Sequence, residues 1–528
     1  MKNIIYKLSM LLLITFIGGC SKEFLEIKPQ NNMATADFLK TDAQVLQAVV
    51  GLYDREQTLY SSAWNGMRFI QNVITDDSQS AGPNAFDTPE YDALDKFDWQ
   101  PNNTKIRGLW QRLYEIIASA NAIITPVEAM TTATPGMLQM VAEAKALRAH
   151  AYLELVIMFG DVPLMTKNPI LPSELSKPRS PKAAIYTQIE SDLNAAIAGL
   201  PAKSAYAAGS KYRFSKGTAQ FLLGKADIYQ KKWAEASVVL GQLISSGEYN
   251  LLPRANYMDN FLKAGEFGLE SVFEASYTSQ LKTSWGTNGA DGTFDARLVE
   301  VNIQMQLEGP RDDNGFFSFA DYHGIASNWS NGLRGGWGFN LPSKVIGDVL
   351  SSDPTDIRSY CVISDAQFKA QGGKVQANPV PYMYQDYLRI KYACKKYETD
   401  TVAQPELNYG SNIRVMRYAD ALLMAAEAYH MNNQDNLAII ELNKVHERAG
   451  LTATALTGDA LLTLIKLERQ KELCFEGSRF FDLVRWGDAP AVLGSLGFQA
   501  NHHELFPIPA DEITTNTSIE PKDQNPGY

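Results

Sequence analysis

A chain of 528 residues, 45% hydrophobic and 20% charged, carries enough apolar side chain for a large core and too little charge to stay unfolded. Its formal net charge of −11, without a helix that reads as a basic stripe, argues against a nucleic-acid partner, because neutralising phosphates needs clustered Lys and Arg. Neutral or weakly polar ligands suit that balance better.

Residues 1–19 form a targeting segment. Lys2 and Lys7 supply a basic start, Leu8 to Ile17 an apolar run too short to span a bilayer, and Gly18-Gly19 place small residues directly before Cys20. That order resembles the lipobox of bacterial lipoproteins, so Cys20 is expected as a lipidated anchor and not as a reactive thiol. Several acyl chains, at about 0.8 kcal/mol per buried CH₂, hold a protein on a membrane without any spanning helix.

Residues 20–40 read as the lipidated cysteine and a tether, and residues 41–249 as a helical scaffold. Thr41-Asp42-Ala43 followed by Val45, Ala48 or Val49, and Leu52 or Tyr53 predicts a helix from about Thr41. Trp110, Leu113, Ile116 or Ile117, Ala120 and Ile124 predict a second, and Val141 to Phe159 a third. Leu223, Gly224, Ala236, Leu240 and Leu243, with Trp233 near the turn, occupy the contact positions of a tetratricopeptide-like hairpin, although Asp227 stands where an aromatic belongs. Ala426, Tyr429, Ala438, Leu442 and Val445 repeat the same offsets. Stacked helical hairpins follow, with small residues where paired helices approach.

From residue 250 to 412 the composition shifts to Gly, Asn, Asp, Ser and aromatics. This is a loop-rich insert in which Trp285, Phe294, Phe316, Phe317, Phe319, Tyr322, His323, Trp329 and Trp337 stand among turn formers such as Asp312-Asp313-Asn314-Gly315 and Arg334-Gly335-Gly336. So many rings in loops are not expected to reach one core, and some should stay accessible to a ligand. Asp291 to Asp295 lacks the closing Glu of a calcium loop and reads as a turn.

Residues 413–528 return to helical scaffold. Glu468 to Gly487 is the most densely specified stretch: four acidic residues, Glu468, Glu472, Glu476 and Asp482, are matched by Arg469, Lys471, Arg479 and Arg485 among eight apolar and aromatic positions. Glu472 and Glu476 are expected one helical turn apart. They are either an acid/base pair or members of a structural network neutralised by Arg469 and Arg479, and the charge balance favours structure. Gly477 is expected to stop one helix before Arg479 opens a shorter one.

Other chemistry is thin. Cys361, Cys394 and Cys474 are odd in number and lack metal-site spacing, so they read as buried free thiols, with a Cys361–Cys394 disulfide as the alternative. The six histidines show no metal spacing, and neither a nucleophile elbow nor a phosphate-cradling loop is present. No cofactor, metal or catalytic residue is implied.

Taken in order, FLEIKPQ, DAQVLQAVVGLY, WQRLYEIIASANAII, AEAKALRAHAYLELVIMFGDVPLM, KGTAQFLLGKADIY, RYADALLMAAEAY, ERQKELCFEGSRFFDLVRWG, LFPIP and the terminal QNPGY resemble the SusD/RagB family of bacterial outer-membrane lipoproteins. The resemblance implies a mainly all-α fold of tetratricopeptide-like hairpins with a loop-rich ligand-binding lobe. It also implies a location on the outer membrane, facing outward by its lipid anchor. A SusC-like TonB-dependent transporter is the implied partner, to which captured oligosaccharide is passed. By position, the implied ligand residues are Asp76, Asp77, Trp99 and Asn102 before the Trp110 helix, and Trp285, Phe316, Tyr322, Trp329, Asn331, Arg334 and Trp337 in the lobe.

Independently of the family, a sugar needs a ring for its C–H face and a few Asp, Asn, Gln or Arg groups for its hydroxyls, and these loops hold both. The competing expectations are that any of these tryptophans plugs the lobe's own core, and that Asp76 and Asp77 merely cap the chain. A peptide-binding import lipoprotein of the RagB kind is the alternative function. A surface glycoside hydrolase ranks behind it, since nothing fixes two carboxylates across a cleft.

Overall fold

The computed structural model describes residues 38–61, 65–169, 171–280, 300–324, 332–399 and 404–528. Cys20, Trp285, Trp329 and Asn331 therefore lie outside the described residues.

The first helices form where periodicity predicts them, and their caps explain their true limits. Helix α1 (Asp42–Tyr60) starts in a capping box in which the Thr41 hydroxyl accepts from the Gln44 N–H and the Gln44 side chain from the Thr41 N–H. Helix α2 (Thr104–Glu128) begins earlier than its apolar pattern, because the Asn103 side chain accepts from the N–H groups of Lys105 and Ile106. Helix α3 (Pro135–Phe159) likewise begins at a Thr134 cap followed by Pro135. It is buried on almost every side, packed by α1, α2 and helix α4 (Lys182–Gly199). The polar residues it carries inward are paired: Arg148 with Asp192 at 2.7 Å, His150 with Glu56 at 2.8 Å and Glu154 with Lys225 at 2.8 Å.

Both hairpins are present. Helices α5 (Lys216–Tyr229) and α6 (Trp233–Ser245) form one, and α7 (Tyr418–Met431) and α8 (Asp435–Arg448) the other. Each packs on its sequence partner, and α6 packs directly on α7, so the helical stack continues across the intervening chain. Gly224 is the close-approach position: a Cβ there would stand 2.5 Å from Leu240 Cγ. Gly224→Val is accordingly expected to cost about 1–3 kcal/mol through overpacking, read as a lowered midpoint in urea. An unchanged midpoint would mean that the hairpin opens freely. Asp227, the departure from the aromatic pattern, is buried and pushed up to about 7 by that burial, while its carbonyl accepts from the Lys232 N–H to turn the chain.

Strands are few, short and paired only in twos. In chain order they are β1 (Ser78–Ser80), β2 (Ser271–Ala275), β3 (Phe317–Ser318), β4 (Asn340–Pro342), β5 (Val362–Ser364), β6 (Lys374–Val375), β7 (Tyr387–Arg389) and β8 (Ile413–Arg417). The antiparallel pairs are β1–β4, β2–β8, β3–β6 and β5–β7. The β2–β8 pair, which sets Ser271 opposite Arg417, brings the two ends of the intervening chain together at the scaffold.

That chain joins Tyr257, Met258 and Phe261 before β2 and Ala449, Cys474 and Phe475 after β8 in a second core. Phe316, Phe317, Phe319 and Tyr322 are not accessible loop rings; they are buried with Phe368, Leu388 and Tyr392 in an apolar cluster separate from the helical one. With apolar partners supplied from both sides of the insert, these four rings exclude water by turning inward. Cys361, Cys394 and Cys474 are buried and unpaired.

The dense C-terminal stretch also departs from the expected geometry. Helix α9 (Gly458–Glu472) ends at Glu472, and after a turn with left-handed Phe475 and Gly477, helix α10 runs from Arg479 to Trp486. Glu472 and Glu476 are therefore not successive turns of one helix. The turn is clasped by Asn72, which donates to the Phe475 carbonyl at 3.1 Å and accepts from the Gly477 N–H at 3.0 Å.

Candidate functional site

The paired carboxylates converge, but on arginine. Arg417 donates to Glu472 at 3.0 Å, to both oxygens of Glu476 at 2.8 and 2.7 Å, and to Glu270 at 3.0 Å. Arg448 bridges Glu270 and Glu472, and Lys391 reaches Glu476 at 2.6 Å. Burial alone would raise the Glu476 carboxyl, yet the charges of Arg417 and Lys391 hold it at about 2. A general acid needs the opposite shift, so this cluster is framework. Its cations are also not those expected: Arg469 pairs with Asp482 and Asp420, and Arg479 with Asp76.

Asp76 and Asp77 belong to the same framework. Arg479 donates to both Asp76 oxygens at 2.9 and 2.8 Å, and Asp77 accepts from Gln470 at 2.8 Å. Burial, reinforced by the Asp76 charge, pushes Asp77 up to about 7. Trp99 is 1% exposed, its indole N–H donates to the Leu94 carbonyl, and Phe506, His503, Phe97 and Phe480 surround its ring, which leaves no face for a ligand. Asn102 lies exposed in the turn before α2. Tyr322 donates to Gln371 inside the second core, where Phe316 is also buried. Trp337 is half-buried against Val301, Ile303 and Leu407. Of the described residues expected to bind ligand, Arg334 alone lines an open cleft.

That cleft has a volume of about 630 Å³ and is walled by Asp312, Phe317, Ser318, Phe319, Arg334 and Lys396. Leu333 and Lys395 form an antiparallel bridge, with the Arg334 N–H on the Cys394 carbonyl and the Lys396 N–H on the Gly332 carbonyl. Because side chains alternate along bridged strands, Arg334 and Lys396 project to one side while Leu333 and Lys395 turn to the other. The Arg334 guanidinium lies 6.0 Å from the Tyr409 ring centroid. Asp312 faces it: desolvation raises this carboxyl, with Arg334 pulling the other way.

A second groove of about 350 Å³ runs between α1 and β2, lined by Tyr53, Asp54, Gln57, Tyr212, Tyr277 and Glu300. Tyr53 and Tyr212 meet edge to face at 5.4 Å, and Tyr277 donates to the Gln57 carbonyl at 2.8 Å. The two concavities share one strip of backbone. Glu300 accepts from the Thr278 N–H in the groove, and two residues on, the Asn302 N–H donates to the carbonyl of Tyr409, whose ring underlies Arg334. Each concavity sets rings beside hydrogen-bonding groups, an arrangement that accepts a polar ligand with flat apolar faces.

Sequence reasoning passed over Gln57, Tyr212, Tyr277, Glu300 and Lys396, and read Asp312 only as a turn former. No short-range signal marks them, since they meet through contacts such as Gln57 with Ser276 that join distant parts of the chain. No described helix is long and apolar enough to cross a membrane. Among the described residues, no group of His, Cys, Asp or Glu is placed to hold a metal ion.

Residues 245–501 match the family model described as the SusD family, and residues 23–226 the one described as starch-binding associating with outer membrane. SusD-like protein P25 of Formosa agariphila is 27% identical over 96% of both chains. Among solved structures, a laminarin binding SusD-like protein is 31% identical, with 92% of this chain and 99% of that one covered at a TM-score of 0.79. The surface glycan-binding protein A from Bacteroides thetaiotaomicron, solved with laminarihexaose, is 25% identical, with 92% and 100% covered at a TM-score of 0.74. On fold, motif order and these relatives, the chain belongs to the SusD family.

Proposed function

We propose that the protein is a non-catalytic, lipid-anchored binder of oligosaccharide at the outer membrane, facing outward, which passes its ligand to a SusC-like TonB-dependent transporter. The observation that carries the reading is the pair of concavities, the Tyr212–Tyr277 groove and the Arg334 cleft. Both offer rings beside hydrogen-bonding groups, which suits the C–H faces and hydroxyls of a sugar. Named relatives of the same fold that bind laminarin or laminarihexaose support it. The lipobox and the outer-membrane association of the matched family support the location, and Cys20 is the proposed anchor. Trp285, Trp329 and Asn331 complete the proposed ligand set from loops that flank this surface in sequence.

The mature chain is expected to be retarded in native gels containing laminarin and to release no reducing ends from it. Tyr212→Ala should weaken that binding about tenfold by removing a ring from the groove, with a nearly unchanged melting temperature. Release of product would overturn the non-catalytic reading. Calorimetry showing affinity for peptides and for no glycan would replace it with the peptide-binding alternative.

A further inference from the structure

The Arg334 cleft has a charge that a neutral sugar does not call for. Two cations, Arg334 and Lys396, project from one side of the same bridged pair into it, and Asp312 is the one carboxylate among its described lining residues. Among the described residues neither Arg334 nor Lys396 makes a side-chain hydrogen bond or ion pair; Arg334 is held by the Tyr409 ring, and Lys396 is exposed. By contrast, Arg358 in the framework is held by Asp356 and Glu468 at 2.6–3.1 Å. Asp312 does not cancel them. Its carboxyl is accommodated over Gly335, where a Cβ would stand 2.2 Å from its Cγ, and is desolvated there.

We propose that this cleft receives an anionic substituent of the bound glycan, the carboxylate of a uronic acid or an ester sulfate. Arg334 engages its oxygens through two N–H groups and Lys396 supplies a second charge, the geometry in which a guanidinium fork outperforms neutral donors. The rest of the molecule bounds the class further. A net charge of −11, and Asp54 and Glu300 in the neighbouring groove, disfavour a polyanion. The ligand is then a largely neutral chain with sparse acidic groups: neutral residues lie along the tyrosine groove and an acidic one in the Arg334 cleft. This rests on the glycan-binding reading above.

The test is isothermal calorimetry of the mature chain with four probes: glucuronoxylan, the same xylan after reduction of its carboxyl groups, a lightly sulfated galactan, and laminarin. Arg334→Gln and Asp312→Asn are measured beside the parent protein, with melting temperatures to establish that each is folded. The expected result is that an acidic probe binds and that Arg334→Gln weakens it about tenfold. Asp312→Asn should strengthen it, a change of sign that a merely structural role would not produce, and laminarin affinity should be the same in all three proteins. The xylan pair and the galactan separate carboxylate from sulfate. If laminarin binds and both acidic probes bind no better than reduced xylan, or if Arg334→Gln changes nothing, the acidic cleft is overturned while glycan binding stands. If no probe binds, both are overturned.

Discussion

Arg417→Ala is expected to yield little soluble, folded protein, and any that accumulates should unfold at a markedly lower urea concentration than the parent. Arg417 is 1% exposed and donates to Glu270, Glu472 and Glu476 at once. It also donates to the Glu472 carbonyl, which the ending of α9 leaves without a helical partner. Without it, three buried carboxylates share Arg448 and Lys391. Removing one partner of a buried ion pair costs about 3–5 kcal/mol, because the remaining charge stays desolvated. Against a total stability of about 5–15 kcal/mol that is a large part of the whole. The damage is not local, since Arg417 also ends β8 opposite Ser271 and lies 5.3 Å from the Phe261 ring of the second core. A charge-balanced Arg417→Ala, Glu476→Gln double variant should recover part of the loss. A single variant as stable as the parent would show that the carboxylates are neutralised some other way.

Stability is expected to peak in mildly acidic solution, because two sets of buried carboxyls act in opposite directions. Glu468 and Glu476 are held at about 2 against a usual 4.5: burial would raise them, but Arg358 with His446, and Arg417 with Lys391, overcome it. A carboxyl depressed in the folded state stabilises fully above its unfolded value and loses that contribution as pH falls from about 4.5 to about 2, about 3 kcal/mol for each. Asp77, Asp227 and Glu266 are raised to about 7 and Asp95 to about 8, all chiefly by burial. Raised groups stabilise below their unfolded values near 4 and lose that contribution as pH rises through about 7 to 8. Melting temperature should therefore climb from pH 2 to about 4.5 and decline between about 5 and 8. Asp95→Asn, which keeps an oxygen for the Ser80 N–H, should raise the melting temperature at pH 8 and leave it alone at pH 4.5. A melting temperature flat from pH 5 to 8 would mean that water reaches these carboxyls.

Which parts of this molecule are legible in its sequence follows from how far apart the interacting groups lie. Helix α1 could be placed from Thr41 and the spacing of Val45, Val49 and Leu52, because cap and face are both local. The hairpin contacts of Gly224 with Leu240 were legible for the same reason. The pair Glu472 and Glu476 was misjudged in geometry although rightly assigned to structure. Nothing nearby announces that α9 stops at Glu472, and Arg417 and Lys391 lie far away in the chain. Trp99 shows the limit for single residues: an aromatic in a loop before a helix reads the same whether it meets a ligand or, as here, Phe506 and His503. The Arg334 cleft was half visible, since the arginine drew attention among glycines while its companion Lys396 required the bridge between Leu333 and Lys395.

The pairing of β2 with β8 has an evolutionary consequence. Residues 276 and 412 leave and rejoin the helices side by side, so the distance that the intervening chain must span is fixed by the strand pair and not by its own length. The entropy of closing such a loop grows only logarithmically, about 0.6 kcal/mol for each doubling. Loops mounted this way can change length while α6 keeps its seat on α7, provided that Arg358 and Lys391 still reach Glu468 and Glu476. Descendants of one ancestor can therefore vary these loops on an inherited chassis, with Arg358 and Lys391 as the positions that the chassis will not release.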